Sequence, residues 1–206
     1  MRPQFIYLDL GNVIVLFDHA KAWQQMADLA GINSVAVHAA VTAGGLQESL
    51  ERGHIDWPEF HSQFSSRTHT TTDSEALAHA ASDMFSLNIG MLPVIAGLER
   101  TGCPTGILSN TCAIHWEHLL AKHYSVLPGN FVQTVLSHTV AQLKPERGIY
   151  ELATERATVR PDQIFFCDDI PANVHAARAA GWDAEVFVSA VGLADALDRR
   201  GINLGL

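Results

Sequence analysis

A chain of 206 residues, 48% of them hydrophobic, carries enough apolar material for one compact domain with a buried core and room for an inserted subdomain. Its net charge of −9, with lysines and arginines scattered rather than clustered, argues against a nucleic-acid backbone as partner. No apolar run approaches the ~20 residues of a membrane span, and three cysteines without a CxxC spacing argue against a disulfide framework. Cys103, Cys112 and Cys167 read instead as small buried hydrophobes. The N-terminus, MRPQFIYLD, lacks the apolar core of a signal peptide, so a cytoplasmic protein is expected.

In chain order, residues 4–9 form a short apolar strand that ends on Asp9 and breaks at once into Gly11 and Asn12. A helix then starts from an Asp18 N-cap, sets Ala22, Trp23, Met26 and Leu29 on one face, and closes at Gly31. Asp56 is a second N-cap, with Glu59 three residues on and Pro58 in the first turn; Thr72 and Glu75 repeat the device. No convincing strand interrupts residues 19–88, which therefore read as a small helical cap. From Met91 a regular rhythm follows: a helix closed by Gly102, then strands over 104–110, 131–137, 163–168 and 184–188. Helical patterns over 112–123, 146–157, 172–180 and 189–201 alternate with them. Such alternation predicts an α/β fold with a parallel sheet covered on both faces. The expected division is a core of residues 1–18 and 89–206 with a cap of residues 19–88.

In open parallel sheets, ligands bind beyond the carboxyl ends of the strands. Collected there are Asp9, the Ser109-Asn110-Thr111 run, Lys144 in QLKPERGIY, and the pair Asp168-Asp169. An aspartate at a strand end is often only a helix cap. Four such ends agreeing, with a lysine and a doubled acid, ask for chemistry instead. Phosphoryl transfer suits the set. Asp9 can attack phosphorus if Mg²⁺, held by Asp9, a backbone carbonyl near Gly11, and Asp168 or Asp169, neutralises the repulsion between anions. Ser109, Asn110 and Gly11 are the candidate phosphate-binding positions, and Lys144 pairs with the acids.

YLDLGNVI, GILSNT, LKPERGIY and FFCDDIPANVHAARAAGW resemble, in order, the four motifs of the haloacid dehalogenase (HAD) superfamily. The resemblance implies a Rossmann-like, doubly wound core with an inserted helical (C1-type) cap. It implies Asp9 as nucleophile, Ser109 as phosphate binder, Lys144 as the third motif's lysine and Asp168/Asp169 as Mg²⁺-binding acids. Asn173 and Gly181 sit where the fourth motif continues. The DLGNV variant is similar to a bacterial subgroup that includes an α-glucose-1-phosphate phosphatase, and DDIPAN resembles the phosphatase domain of soluble epoxide hydrolase. The expected substrate is thus a small phosphorylated metabolite, sugar phosphates among the candidates. Oligomeric state is not legible.

One position departs from the family. Its phosphatases usually carry a second Asp two residues after the nucleophile as general acid/base, and here Gly11 stands in that place. General acid catalysis is typically worth about 10²–10⁴-fold. A preference for leaving groups that need little protonation is therefore expected, unless Asp18 or a cap residue replaces the acid. Two rival readings are a metal-independent 2-haloacid dehalogenase, which would not need the doubled acid, and a degenerate binding module on the same fold. Among eleven histidines, His115 and His118 lie at i, i+3 beside Glu117, but no third ligand has a fitting spacing, so they read as surface or half-buried side chains. His115 follows the second motif closely enough to touch substrate. Trp57, Phe60 and Phe64 read as cap core rather than as a substrate box.

Overall fold

The computed structural model describes residues 2–206. Its strands are β1 (Phe5–Leu8), β2 (Val15–Phe17), β3 (Phe85–Leu87), β4 (Thr105–Ser109), β5 (Gln133–Leu136), β6 (Ile164–Asp168) and β7 (Asp183–Val186). Five of them build one sheet in the order β5-β4-β1-β6-β7, and every pairing in it is parallel. The chain runs from β1 outward through β4 and β5, then returns past β1 to lay down β6 and β7. β1 is therefore flanked by β4 and β6, and the strand order reverses beside it, which is where such sheets open a crevice.

Period-two alternation explains how each short strand serves two cores. Ile6, Leu8, Ile107, Phe165 and Cys167 face one side, where α6 (Met91–Thr101), α7 (Ala113–Ala121) and α11 (Ala190–Asp198) contribute Met91, Leu119 and Leu197. Phe5, Tyr7, Leu108, Ile164 and Phe166 face the other, against Ile149 of α9 (Arg147–Ala157) and Val174 of α10 (Pro171–Ala179). The sheet is thus doubly wound, as the alternating pattern predicts.

The insertion holds α1 (His19–Ala30), α2 (Ser34–Thr42), α3 (Leu46–Glu51), α4 (Trp57–Thr68) and α5 (Ser74–Ser82) around its own apolar cluster, which includes Met26, Phe60, Phe64 and Leu77. Asp18 caps α1 by accepting from the N–H groups of Ala20 and Lys21, and Asp56 caps α4 through the N–H of Glu59. Three details correct the sequence reading. The α5 cap is Asp73, bonded to the Ala76 N–H, and not Thr72. Leu29 turns outward and is 41% exposed, because α1 buries only the narrower stripe of Ala22, Met26 and Ala27. Finally, residues 19–88 do contain a strand: β3 pairs antiparallel with β2 as a two-stranded stalk through which the chain enters and leaves the cap. Three residues are too few to display an alternation. No single helix among the described residues is long and apolar enough to cross a membrane.

Candidate active site

Because β4, β1 and β6 are neighbours, Ser109, Asp9 and Asp168 arrive side by side on the carboxyl rim. Asp9 follows β1 directly, and its N–H donates to the Cys167 carbonyl at 2.9 Å. Its Oδ1 accepts from the Leu10 N–H at 2.7 Å and lies 2.7 Å from the Lys144 ammonium. Oδ2 receives no hydrogen bond from the described residues and stays free to react. Lys144 also donates to Asp168 Oδ2 at 2.6 Å and to the Leu108 carbonyl at 2.9 Å. An ammonium has three protons, and all of them are committed here. Lys144 is only 4% exposed, so its charge depends on these partners.

Lys144 comes from the loop between α8 (Ser137–Val140) and α9, far along the chain. Asn110 holds that loop reciprocally. Its Nδ2 donates to the Lys144 carbonyl, and its Oδ1 accepts from the Lys144 N–H, each at 2.8 Å. The side chain of Asn110 is therefore spent on positioning Lys144, which leaves only its main chain for a phosphate contact. Ser109 keeps its role open, since its buried hydroxyl has just a 3.4 Å contact to the Asn110 carbonyl.

The adjacent acids divide their work. Asp168, fully buried, accepts from the Ile170 N–H at 2.8 Å on Oδ1, from Asn173 Nδ2 at 3.0 Å on both oxygens, and from Lys144 on Oδ2. Its lone pairs are used up. Asp169 is half-buried and accepts only from Asn12 Nδ2, at 2.9 Å on Oδ2. Asp9, Asp168 and Asp169 nevertheless bring carboxylate oxygens within 4.8 Å of one another. Three acids against one ammonium leave a surplus of negative charge, and oxygen donors alone are what a hard divalent cation such as Mg²⁺ takes. The donor set fits the ion, with Asp9 and Asp169 holding the available oxygens.

Burial raises the Asp9 carboxyl to about 6, with Asp168 adding to the effect and Lys144 opposing it. Burial alone would push the Lys144 ammonium down, but Asp9 and Asp168 outweigh it and hold it above the ordinary lysine value. The pair stays ionic because each charge is compensated within hydrogen-bonding distance.

Phe17 fills the space beside Gly11: a β-carbon built on Gly11 would stand 2.8 Å from Phe17 Cε1. The ring is wedged between His19 and Phe85, at centroid distances of 4.8 and 6.3 Å. A small cavity of about 80 Å³ opens over Leu10, Gly11 and Ser109, with His19, Glu51 and His115 on its cap side. The same three residues line a second, mainly apolar cavity between the cap and the start of α7, walled by Trp23, Trp57 and Phe60. Phe64, by contrast, is fully buried in the cap core. Trp57 and Phe60 are thus both core and cavity wall, which the sequence reading treated as alternatives.

Burial pushes the His115 imidazole down to about 4, with His19 adding to the effect and the Ala81 carbonyl opposing it. His19 is lowered as well, chiefly by burial. Glu51 moves the other way, raised by burial against a hydrogen bond from Gln47. Asn12, Phe17 and Glu51 are site residues that sequence reasoning missed. Only Asn12, three residues after Asp9, stood inside a quoted motif. The cysteines are all free, Cys112 and Cys167 buried and Cys103 half-buried.

A family model described as haloacid dehalogenase-like hydrolase matches residues 5–181. The chain is similar in fold to the HAD family enzyme BT-2542 of Bacteroides thetaiotaomicron, whose wild-type form has been crystallised in complex with magnesium and inorganic phosphate. That likeness has a TM-score of 0.81 at 22% identity over 90% of this chain and 94% of that one. A predicted HAD-like family hydrolase of Porphyromonas gingivalis matches with a TM-score of 0.81 at 20% identity, over 97% and 98% of the two chains. By sequence, bifunctional epoxide hydrolase 2 of Rattus norvegicus is 29% identical over 102 residues, 47% of this chain and 18% of the rat protein.

Proposed function

This chain belongs to the haloacid dehalogenase-like hydrolases, and on that premise we propose that it is a Mg²⁺-dependent phosphatase acting on a small phosphorylated metabolite. The observation that carries the reading is the rim cluster. Asp9 has one oxygen fixed by Leu10 and Lys144 and the other free, beside an acid pair of which one member is still open.

Asp9 Oδ2 is the nucleophile that takes the phosphoryl group, forming an aspartyl phosphate that water then hydrolyses. The Ser109 hydroxyl and neighbouring main-chain N–H groups bind the phosphoryl oxygens. Lys144 holds Asp9 in its attacking orientation and offsets the charge of Asp9 and Asp168. Mg²⁺, on Asp9, Asp169 and the Gly11 carbonyl, would supply charge neutralisation between carboxylate and phosphate. Asp168 serves by orienting Lys144 and by fixing the turn through Ile170 and Asn173. Support for phosphorus over carbon comes from Asp169: a metal-free dehalogenase would have no use for a second, half-exposed acid there. The structural relative that binds magnesium and inorganic phosphate supports the same choice.

The leaving group lies toward the cap, where His19, Glu51 and His115 meet an aromatic wall. A neutral or weakly polar group, such as a sugar, suits that lining better than a second anion, since no lysine or arginine borders either cavity. The test is phosphate release from p-nitrophenyl phosphate with and without Mg²⁺, in wild type and Asp9→Asn. Activity that needs both the metal and Asp9 is expected. No release from any ester, unchanged activity in Asp9→Asn, or metal-independent halide release from 2-chloropropionate would overturn the proposal.

A further inference from the structure

With residue 11 lacking a side chain and Phe17 occupying its surroundings, the proton that a leaving alkoxide needs must come from elsewhere. We propose that Glu51, at the last turn of α3 in the cap, is the general acid/base of the reaction; this rests on the phosphatase reading above.

Glu51 is the one carboxylate shared by the cavity over Leu10, Gly11 and Ser109 and the apolar cavity of the cap, so it stands at their junction. An ester whose phosphoryl group sits over Gly11 and Ser109 and whose leaving group extends into the apolar cavity would carry its leaving oxygen past that junction. Asp18, the acid nearest in sequence, is exposed, spends its Oδ1 on the α1 N-terminus and borders neither cavity.

Glu51 is also held as a reacting group must be. Its carbonyl accepts from Ser137 Oγ at 2.6 Å, and that same Oγ accepts from the Thr111 N–H at 2.9 Å. A single hydroxyl thus ties the base of Glu51 to the loop that carries Ser109 and Asn110. Arg52 pairs with Glu146, two residues from Lys144. At Gly53 the turn lies so close to the His138 carbonyl that a β-carbon has no room there. In the carboxylate itself, Oε1 accepts from Gln47 Nε2 at 2.8 Å, while Oε2 has no hydrogen bond among the described residues.

The surroundings suit proton exchange. No lysine or arginine lines either cavity, and the neighbouring His19 and His115 are shifted toward their neutral forms. Burial holds the carboxyl above the ordinary glutamate value, which favours the protonated form that an acid step needs.

The two steps balance. As Asp9 Oδ2 bonds to phosphorus, the bond from phosphorus to the leaving oxygen breaks, and the Glu51 proton passes to that oxygen to give the free alcohol. Water then attacks phosphorus and gives its proton to the Glu51 carboxylate. The bond from phosphorus to Asp9 Oδ2 breaks, phosphate departs, and both carboxyls return to their starting states.

The experiment compares wild type with Glu51→Gln, whose amide oxygen can still accept from Gln47, on an alkyl phosphate and on p-nitrophenyl phosphate. In Glu51→Gln, alkyl turnover should fall about 10²–10⁴-fold. The first turnover on p-nitrophenyl phosphate, whose leaving group needs no proton, should still give a burst stoichiometric with enzyme, followed by slow turnover. Glu51→Asp should restore part of the alkyl activity. An unchanged alkyl rate in Glu51→Gln overturns the proposal. So does an equal loss on both substrates, burst included, at an unchanged unfolding temperature. Wild type inactive on both esters would instead overturn the phosphatase reading itself.

Discussion

Phe17 stands where the side chain of residue 11 would go, its Cε1 2.8 Å from the position a β-carbon on Gly11 would take. Glycine at 11 and the aromatic at 17 are therefore one choice. Placing Asp at 11 should not simply restore the acid usual in related phosphatases. Gly11→Asp alone is expected to cost about 1–3 kcal/mol through overpacking, and Phe17→Ala in the same chain should recover part of it. Urea unfolding of the two single variants and the double gives the coupling, which should be clearly non-additive.

Lys144 sits between two buried carboxylates, so removing it leaves like charges facing each other. Lys144→Ala should destabilise the fold by about 3–5 kcal/mol at neutral pH and abolish turnover. Part of the stability should return as pH falls, because protonating Asp9, whose carboxyl burial already raises, relieves the repulsion. Chemical denaturation at neutral and acidic pH measures both effects.

The open oxygens of Asp9 and Asp169 predict metal binding that is visible without catalysis. Mg²⁺ at 100 times its dissociation constant should add about 2.7 kcal/mol of stability, read as a rise in unfolding temperature. Asp169→Ala should lose that rise. Asn173→Ala, which removes a partner of Asp168 alone, should keep most of it.

His115 stays neutral in the folded protein down to about pH 4, whereas in the unfolded chain it takes up a proton near 6.5. Between these values the unfolded state binds more protons, so stability is lost as pH falls through this window. The His115→Gln variant should show a shallower decline in unfolding temperature from pH 7 to 4.5 than wild type.

How much of this was legible in the sequence depends on how far apart the cooperating residues lie. Asp9, Ser109, Lys144 and Asp168-Asp169 each end a strand or open a loop, and the parallel topology brings such ends together whatever the side-chain details. The strands themselves were readable because Ile6 and Tyr7, or Phe165 and Phe166, alternate between two apolar cores. β3 was not, since its three residues, none of them buried, acquire their strand character only by pairing with β2. Nor could Glu51 be singled out: it sits in an unremarkable helical LQESLE, and only the contact of α3 with Ser137 turns it toward the rim. The double duty of Asn110 escaped notice for the same reason, because its partner is the backbone of a residue 34 positions away.

The three contacts of Lys144 reach the carbonyl of Leu108 in β4, the carboxylate just past β1 and the carboxylate that ends β6. One side chain therefore rivets three adjacent strands at the end where a sheet would otherwise fray. Local opening of the rim should be no easier than opening of the sheet. Backbone amides such as Leu10 and Ile170, whose acceptors are the very acids Lys144 holds, should then exchange with solvent as slowly as those of the central strands. Order in the carboxyl rim and order in the sheet would be lost in the same event.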